Sequence, residues 1–186
     1  HDAAGRVLEK DRYLLSLKDL DLSSHLGKLI EAGISSFKIE GRLKDISYVK
    51  NVTARYRQLL DSNISGNPGL SRASAGSCIF GFVPDTGKSF NRGKTDYFLN
   101  ARRARPGSPD TPKSLGELIG RVEKSDKSVF TVKTAATLRN GDGLCYFDRM
   151  GTLVGLKANR VDGRKVFHRD AASPSDGTVV YRNYDT

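Results

Sequence analysis

The feature that most limits what this 186-residue chain can fold into is a change of hydrophobic period near Glu117. Beyond it, apolar residues fall into six short runs: Leu118–Val122, Val129–Val132, Leu144–Phe147, Leu153–Leu156, Lys165–Phe167 and Val179–Tyr181. Turn signals separate them, namely Ser125-Asp126, Asn140-Gly141-Asp142-Gly143, Arg149-Met150-Gly151, Asp162-Gly163 and Asp176-Gly177. Short runs at this spacing, each bounded by residues that favour tight turns, predict a small closed or nearly closed antiparallel β-barrel over residues 115–186.

Upstream the pattern is β/α. Tyr13–Leu17 is an apolar, strand-like run, and Leu26, Leu29 and Ile30 recur at helical spacing before Gly33, where a C′ glycine can turn left-handed. Phe37–Glu40 is a second strand candidate ending at Gly41. Asp45 or Ser47 can cap a helix whose apolar side is Val49, Val52, Tyr56 and Leu59 or Leu60. Strand, helix, strand, helix with short links implies two parallel strands joined by a right-handed crossover. Two β/α units cannot cover both faces of a parallel sheet, so residues 1–62 are expected to be the C-terminal end of an incomplete α/β domain. Glycines and prolines interrupt residues 63–114 throughout, which predicts an extended connector with a docking loop and one short helix near Thr95–Leu99.

The formal charge is +10, from 31 Lys plus Arg against 21 Asp plus Glu, which suits a polyanionic partner without naming one. No apolar run reaches the roughly 20 residues of a membrane span, so no membrane partner and a cytoplasmic location are expected. Cys78 and Cys145 form no CxxC pair, and His1, His25 and His168 are scattered, so no metal or cofactor site is expected within these residues. Cys145 sits in an apolar run and reads as a buried thiol; Cys78 has no histidine near it in sequence.

Functional groups of a parallel α/β sheet collect where strands give way to loops. That places two clusters at the rim, Lys18-Asp19 and Glu40-Gly41-Arg42 with Lys44, and makes Glu40, Arg42, Lys18 and Asp19 the catalytic candidates. Glu40 would supply an acid or acceptor and Arg42 a two-pronged anion clamp; the competing reading is a plain ion pair closing the end of the sheet. Gly81–Ser89 resembles a phosphate loop but has five residues between its glycines where the motif requires four. Arg92, Lys94, Arg102, Arg103 and Arg105 are the nucleic-acid-binding candidates of the connector, against the reading that they are solvated cations, and Arg160, Arg164, Lys165 and Arg169 give the barrel its own basic side.

Ser16-Leu17-Lys18-Asp19-Leu20, His25–Gly33, Ser36-Phe37-Lys38-Ile39-Glu40-Gly41-Arg42, Tyr48–Arg57 and Phe90–Leu99 together resemble the C-terminal part of the collagenase-like peptidase family U32. The resemblance implies that residues 11–62 are the last two β/α units of a β/α barrel, and that the trailing strands resemble the second domain of translation elongation factors. It also implies a parent enzyme that is either a peptidase or a hydroxylase of pyrimidines in ribosomal or transfer RNA. The family's signature cysteines, tied to an iron–sulfur cluster in RNA-modifying members, would lie upstream of residue 1. On that basis the chain is expected to be inactive alone, to contact the missing N-terminal part of its own domain, and to serve an RNA or protein substrate. A third reading makes the β-barrel an RNA- or protein-binding module.

Overall fold

The computed structural model describes residues 2–102, 105–170 and 172–186. Along the chain come β1 (Asp19–Leu20), α1 (Leu26–Glu31), α2 (Ile46–Ser65), β2 (Lys94–Thr95), β3 (Glu117–Ser125), β4 (Val129–Lys133), β5 (Gly143–Phe147), β6 (Leu153–Lys157), β7 (Arg160–Asp162), β8 (Lys165–Phe167) and β9 (Val179–Tyr184). Strands β3 to β9 form one curled antiparallel sheet in the order β6-β5-β9-β3-β4-β8-β7. All six runs expected beyond Glu117 are strands, and β7 is added to them.

The curl follows from the residues. Buried and exposed positions alternate along β4, and Phe130, Val132, Leu144, Tyr146, Val166 and Val180 pack inward as the main core. Bulges at Leu118/Gly120 and Val122/Lys124 bend β3 and increase its twist. At Gly120 a Cβ would stand 2.1 Å from the Lys133 carbonyl oxygen, so only glycine lets β4 come this close.

The helices form as their spacing predicts. Asp45 caps α2, its carboxylate accepting from the Tyr48 N–H at 2.7 Å. Val52 and Ala54 are buried on α2 and lie about 200° apart around its axis, so the helix is covered on two sides, whereas Val49 of the expected stripe stays 36% exposed. A 3-10 turn at Ser23–His25 leads into α1.

The strand expectations before residue 100 need correction. Tyr13–Leu17 contains a turn, with Leu15 96% exposed, and only Leu17 makes an isolated bridge, to Gly107. The reason lies in the backbone hydrogen bonds: Tyr13 and Lys18 donate to Pro109 and Pro106, and Ser108 donates back to Ser16. Connector residues 106–109 thus take the place of a neighbouring strand. Phe37–Glu40 has no regular secondary structure and no ladder partner among the described residues, and without one it is no strand. The parallel pair is instead β1 with β2, Asp19 opposite Lys94 and Leu20 opposite Thr95. Thr95–Leu99 is not a helix either: Lys94–Thr95 goes to the sheet and Tyr97 follows in a turn at φ +55°. Gly81–Ser89 contains a 3-10 turn at Thr86–Lys88, capped by Asp85.

Candidate functional site

The parallel pairing of β1 with β2 sets acid against base. Asp19 and Asp21 follow one another on the first strand and its exit, and Arg92 and Lys94 flank Gly93 on the way into the second. Asp19 accepts from the Arg92 backbone N–H at 2.8 Å and from its guanidinium Nε and Nη2 at 3.3 and 3.1 Å. Lys94 Nζ lies 3.0 Å from Asp21 Oδ2. Arg92 and Lys94 therefore meet carboxylates of their own chain.

Asp21 is the hub. Its Oδ1 accepts from the Ser23 N–H at 3.0 Å and from the Tyr56 hydroxyl at 3.2 Å, and its Oδ2 accepts from the Thr86 hydroxyl at 3.3 Å. Burial works against its charge, but the hydrogen bonds from Ser23 and the Lys94 ammonium outweigh it and hold the carboxyl at about 2. Burial and the Asp21 charge push Tyr56 up to about 12. Near neutral pH one is a fixed anion and the other a fixed neutral donor. Neither titrates where a general acid or base works best, so the cluster positions other groups.

Beside this cluster is a cavity of about 560 Å³ lined by Leu22, Phe37, Ile39, Lys44, Tyr48 and Arg92. Lys44 Nζ sits 3.2 Å from the centre of the Phe90 ring, and burial lowers its pKa against the pull of Asp19. Glu40 also lines the cavity but pairs with Lys38 at 2.9 Å; Arg42 lies exposed in the following turn, outside the lining. Glu40 and Arg42 thus do not form the acid-and-clamp pair expected at the rim.

Lys18, Lys94 and Arg105 do converge. They line a shallow recess of about 540 Å³ together with Ser23, Ser24, His25 and two carboxylates, Asp21, which pairs with Lys94, and Asp96. Lys18 and Arg105 with the two hydroxyls suit the oxygens of a phosphate group. Arg102 is exposed and outside this lining, and Arg103 lies outside the described residues.

Sequence reasoning missed Asp21, Tyr48 and Tyr56. Tyr48, Val52 and Tyr56 follow at i, i+4 and i+8, a helix face with a hydroxyl at each end, and that spacing was the available signal. It also missed a Ser–His contact, His168 Nε2 to Ser173 Oγ at 2.7 Å. That hydroxyl donates to the Lys127 carbonyl, while His168 is buried against Phe130 and its Nδ1 has no partner among the described residues. An orienting carboxylate is what such a pair needs to become a nucleophile. Burial raises the Cys145 thiol to about 11, which keeps it inert, and Cys78 is exposed.

Among the described residues no three His, Cys, Asp or Glu side chains are grouped to hold a metal ion. The residues present do not fit an iron–sulfur cluster, and no step is assigned through one. Among the described residues, too, no helix is long and apolar enough to cross a membrane.

A family model described as peptidase family U32 matches residues 1–108. The 23S rRNA 5-hydroxycytidine synthase of Escherichia coli (strain K12) is 49% identical over 161 residues, which is 87% of this chain and 24% of that protein. The tRNA hydroxylation protein P of Haemophilus influenzae is 28% identical over 180 residues, 92% of this chain and 36% of that protein. A collagenase of Porphyromonas gingivalis is 28% identical over 143 residues, 76% of this chain and 33% of that protein. The chain thus spans about a quarter to a third of the length of these relatives. No solved structure matches it.

Proposed function

The chain belongs to peptidase family U32, and from that premise we propose that it is part of an enzyme hydroxylating pyrimidines of ribosomal or transfer RNA. The observation that carries this reading is the 49% identity, across 87% of the chain, to a protein named for 5-hydroxycytidine synthesis in 23S rRNA. We place residues 1–62 as the last two units of a β/α barrel, 63–114 as a connector docked along them, and 115–186 as a small barrel resembling the second domain of elongation factors. Iron–sulfur chemistry of the kind the family resemblance implies would be supplied by residues outside these 186.

In this reading Lys18 and Arg105 hold a phosphate of the RNA in their recess. The Asp19–Arg92 and Asp21–Lys94 pairs fix β1 against β2, so that the recess and the neighbouring cavity keep one geometry. Proteolysis is supported less well, because the Ser173–His168 contact has no orienting carboxylate among the described residues and the Cys145 thiol is buried. Alone, the 186 residues would turn over neither gelatin nor RNA.

The test is mass spectrometry of ribonucleosides from the source organism with and without the gene. Loss of a hydroxylated pyrimidine supports the reading, and an unchanged nucleoside profile removes it.

A further inference from the structure

The strand register assembles a second basic surface, on the barrel. Arg121 stands opposite Lys133, and Lys124 stands opposite Thr131, which is itself opposite Lys165. Phe167 is opposite Arg160. Directly opposed residues of antiparallel strands share a face, and so do residues two apart on one strand. Phe130, Val132 and Val166 point into the core, so all five cations lie on the outer face, and all five are exposed. They run as a diagonal across β3, β4, β8 and β7, a strip about 14 Å wide at the usual strand spacing. Among the described residues none of the five forms an ion pair; the Glu123 beside them pairs with Arg164 at 3.5 Å, and Asp162 stands opposite Lys165.

We propose that this face of the barrel grips the phosphodiester backbone of structured RNA without reading its bases. Arg160 stacks on Phe167 with its guanidinium carbon 3.9 Å from the ring centre. That stacking holds the planar fork in place and leaves its N–H edge free for two phosphate oxygens. The centre of the strip is Thr131, with half-buried Val129 beside it, and neither is the aromatic or arginine anchor in a pocket that a protein partner would need. Duplex RNA is recognised chiefly by shape and by its phosphates and 2′-hydroxyls, which a curved cationic sheet face with a hydroxyl at its centre can meet. The proposal rests on the RNA reading above.

The experiment titrates a labelled RNA hairpin with the full chain at 50, 100 and 200 mM salt, by fluorescence anisotropy. It compares the wild type, R121Q/K133Q/K165Q, and a control of equal net charge, K10Q/K28Q/K113Q, whose three lysines are exposed elsewhere. Five phosphate contacts on this face contribute about −4 to −5 to the wild-type slope of log K against log salt, in addition to the recess, so binding weakens at least several hundred-fold across that range. With three contacts removed the slope becomes shallower by about 3, while the control keeps the wild-type slope. Equal slopes for wild type and R121Q/K133Q/K165Q would overturn the assignment. So would an equal effect of the control, competition by polyglutamate as strong as by RNA, or no binding at 50 mM salt. These outcomes concern only the surface; the enzymatic reading fails separately, on an unchanged nucleoside profile.

Discussion

Arg182 of β9 is only 4% exposed, yet three carboxylates meet it: Glu117 at 2.6 Å, Asp185 at 3.2 Å and Asp142 at 3.3 Å. Asp142 is fully buried and also accepts from the Arg139 and Thr186 N–H groups. Substituting Arg182→Met leaves a buried carboxylate without its counter-charge, which costs about 3–5 kcal/mol and is read as a lower urea midpoint. A second residue-scale prediction concerns acid. The Asp21 carboxyl is held at about 2 in the fold against an ordinary value of 3.8. Its contribution is therefore fully present above pH 4 and lost as pH falls from about 4 to about 2. Asp21→Asn should destabilise by about 2 kcal/mol at pH 6, and most of the difference from wild type should be gone at pH 2. Urea titrations of both proteins at pH 6, 4 and 2 check this.

At the scale of the element, the entry to β3 depends on one glycine. Gly116 has φ +72°, and a Cβ there would stand 2.0 Å from the Arg182 carbonyl oxygen. Gly116→Ala should cost well over 1 kcal/mol and lower the melting temperature of the barrel, whereas Gly163→Ala, in open space at the β7–β8 turn, carries only the left-handed backbone strain. The barrel strands were legible because short apolar or alternating runs, such as alternating β4 and the continuously buried Leu144–Tyr146 of β5, lie between turn signals that act locally. β7 was not, since Arg160-Val161-Asp162 has a single apolar residue and is a strand only because β8 lies beside it. Tyr13–Leu17 and Phe37–Glu40 misled for the opposite reason. Their apolar content is strand-like, but a strand needs a partner, and the first finds its hydrogen bonds in the connector while the second finds none among the described residues.

Across the whole molecule, the candidate site joins stretches far apart in sequence. Lys18 and Asp19 were singled out as the residues after a strand at Tyr13–Leu17, whereas Asp19 is itself part of β1; Arg92 and Lys94 stood out as an unusual basic pair around a glycine. That Asp19 would take Arg92, 73 residues away, depended on β1 pairing with β2, a two-residue ladder with no periodicity to reveal it. Glu40 and Arg42 stood out as a motif, yet one pairs with Lys38 and the other lies exposed, because the loop leaves them on different paths. The basic face of the barrel was half legible: Arg160 and Lys165 were evident as cations, but Arg121, Lys124 and Lys133 join them only through register. The proposal that this member of peptidase family U32 is part of an RNA-hydroxylating enzyme is tested most directly by deleting its gene, restoring it, and measuring hydroxylated pyrimidines in separately purified 23S rRNA and tRNA. The account predicts that one hydroxylated pyrimidine disappears from one of these RNAs and returns with the gene. Identical hydroxypyrimidine levels in all three strains would contradict it.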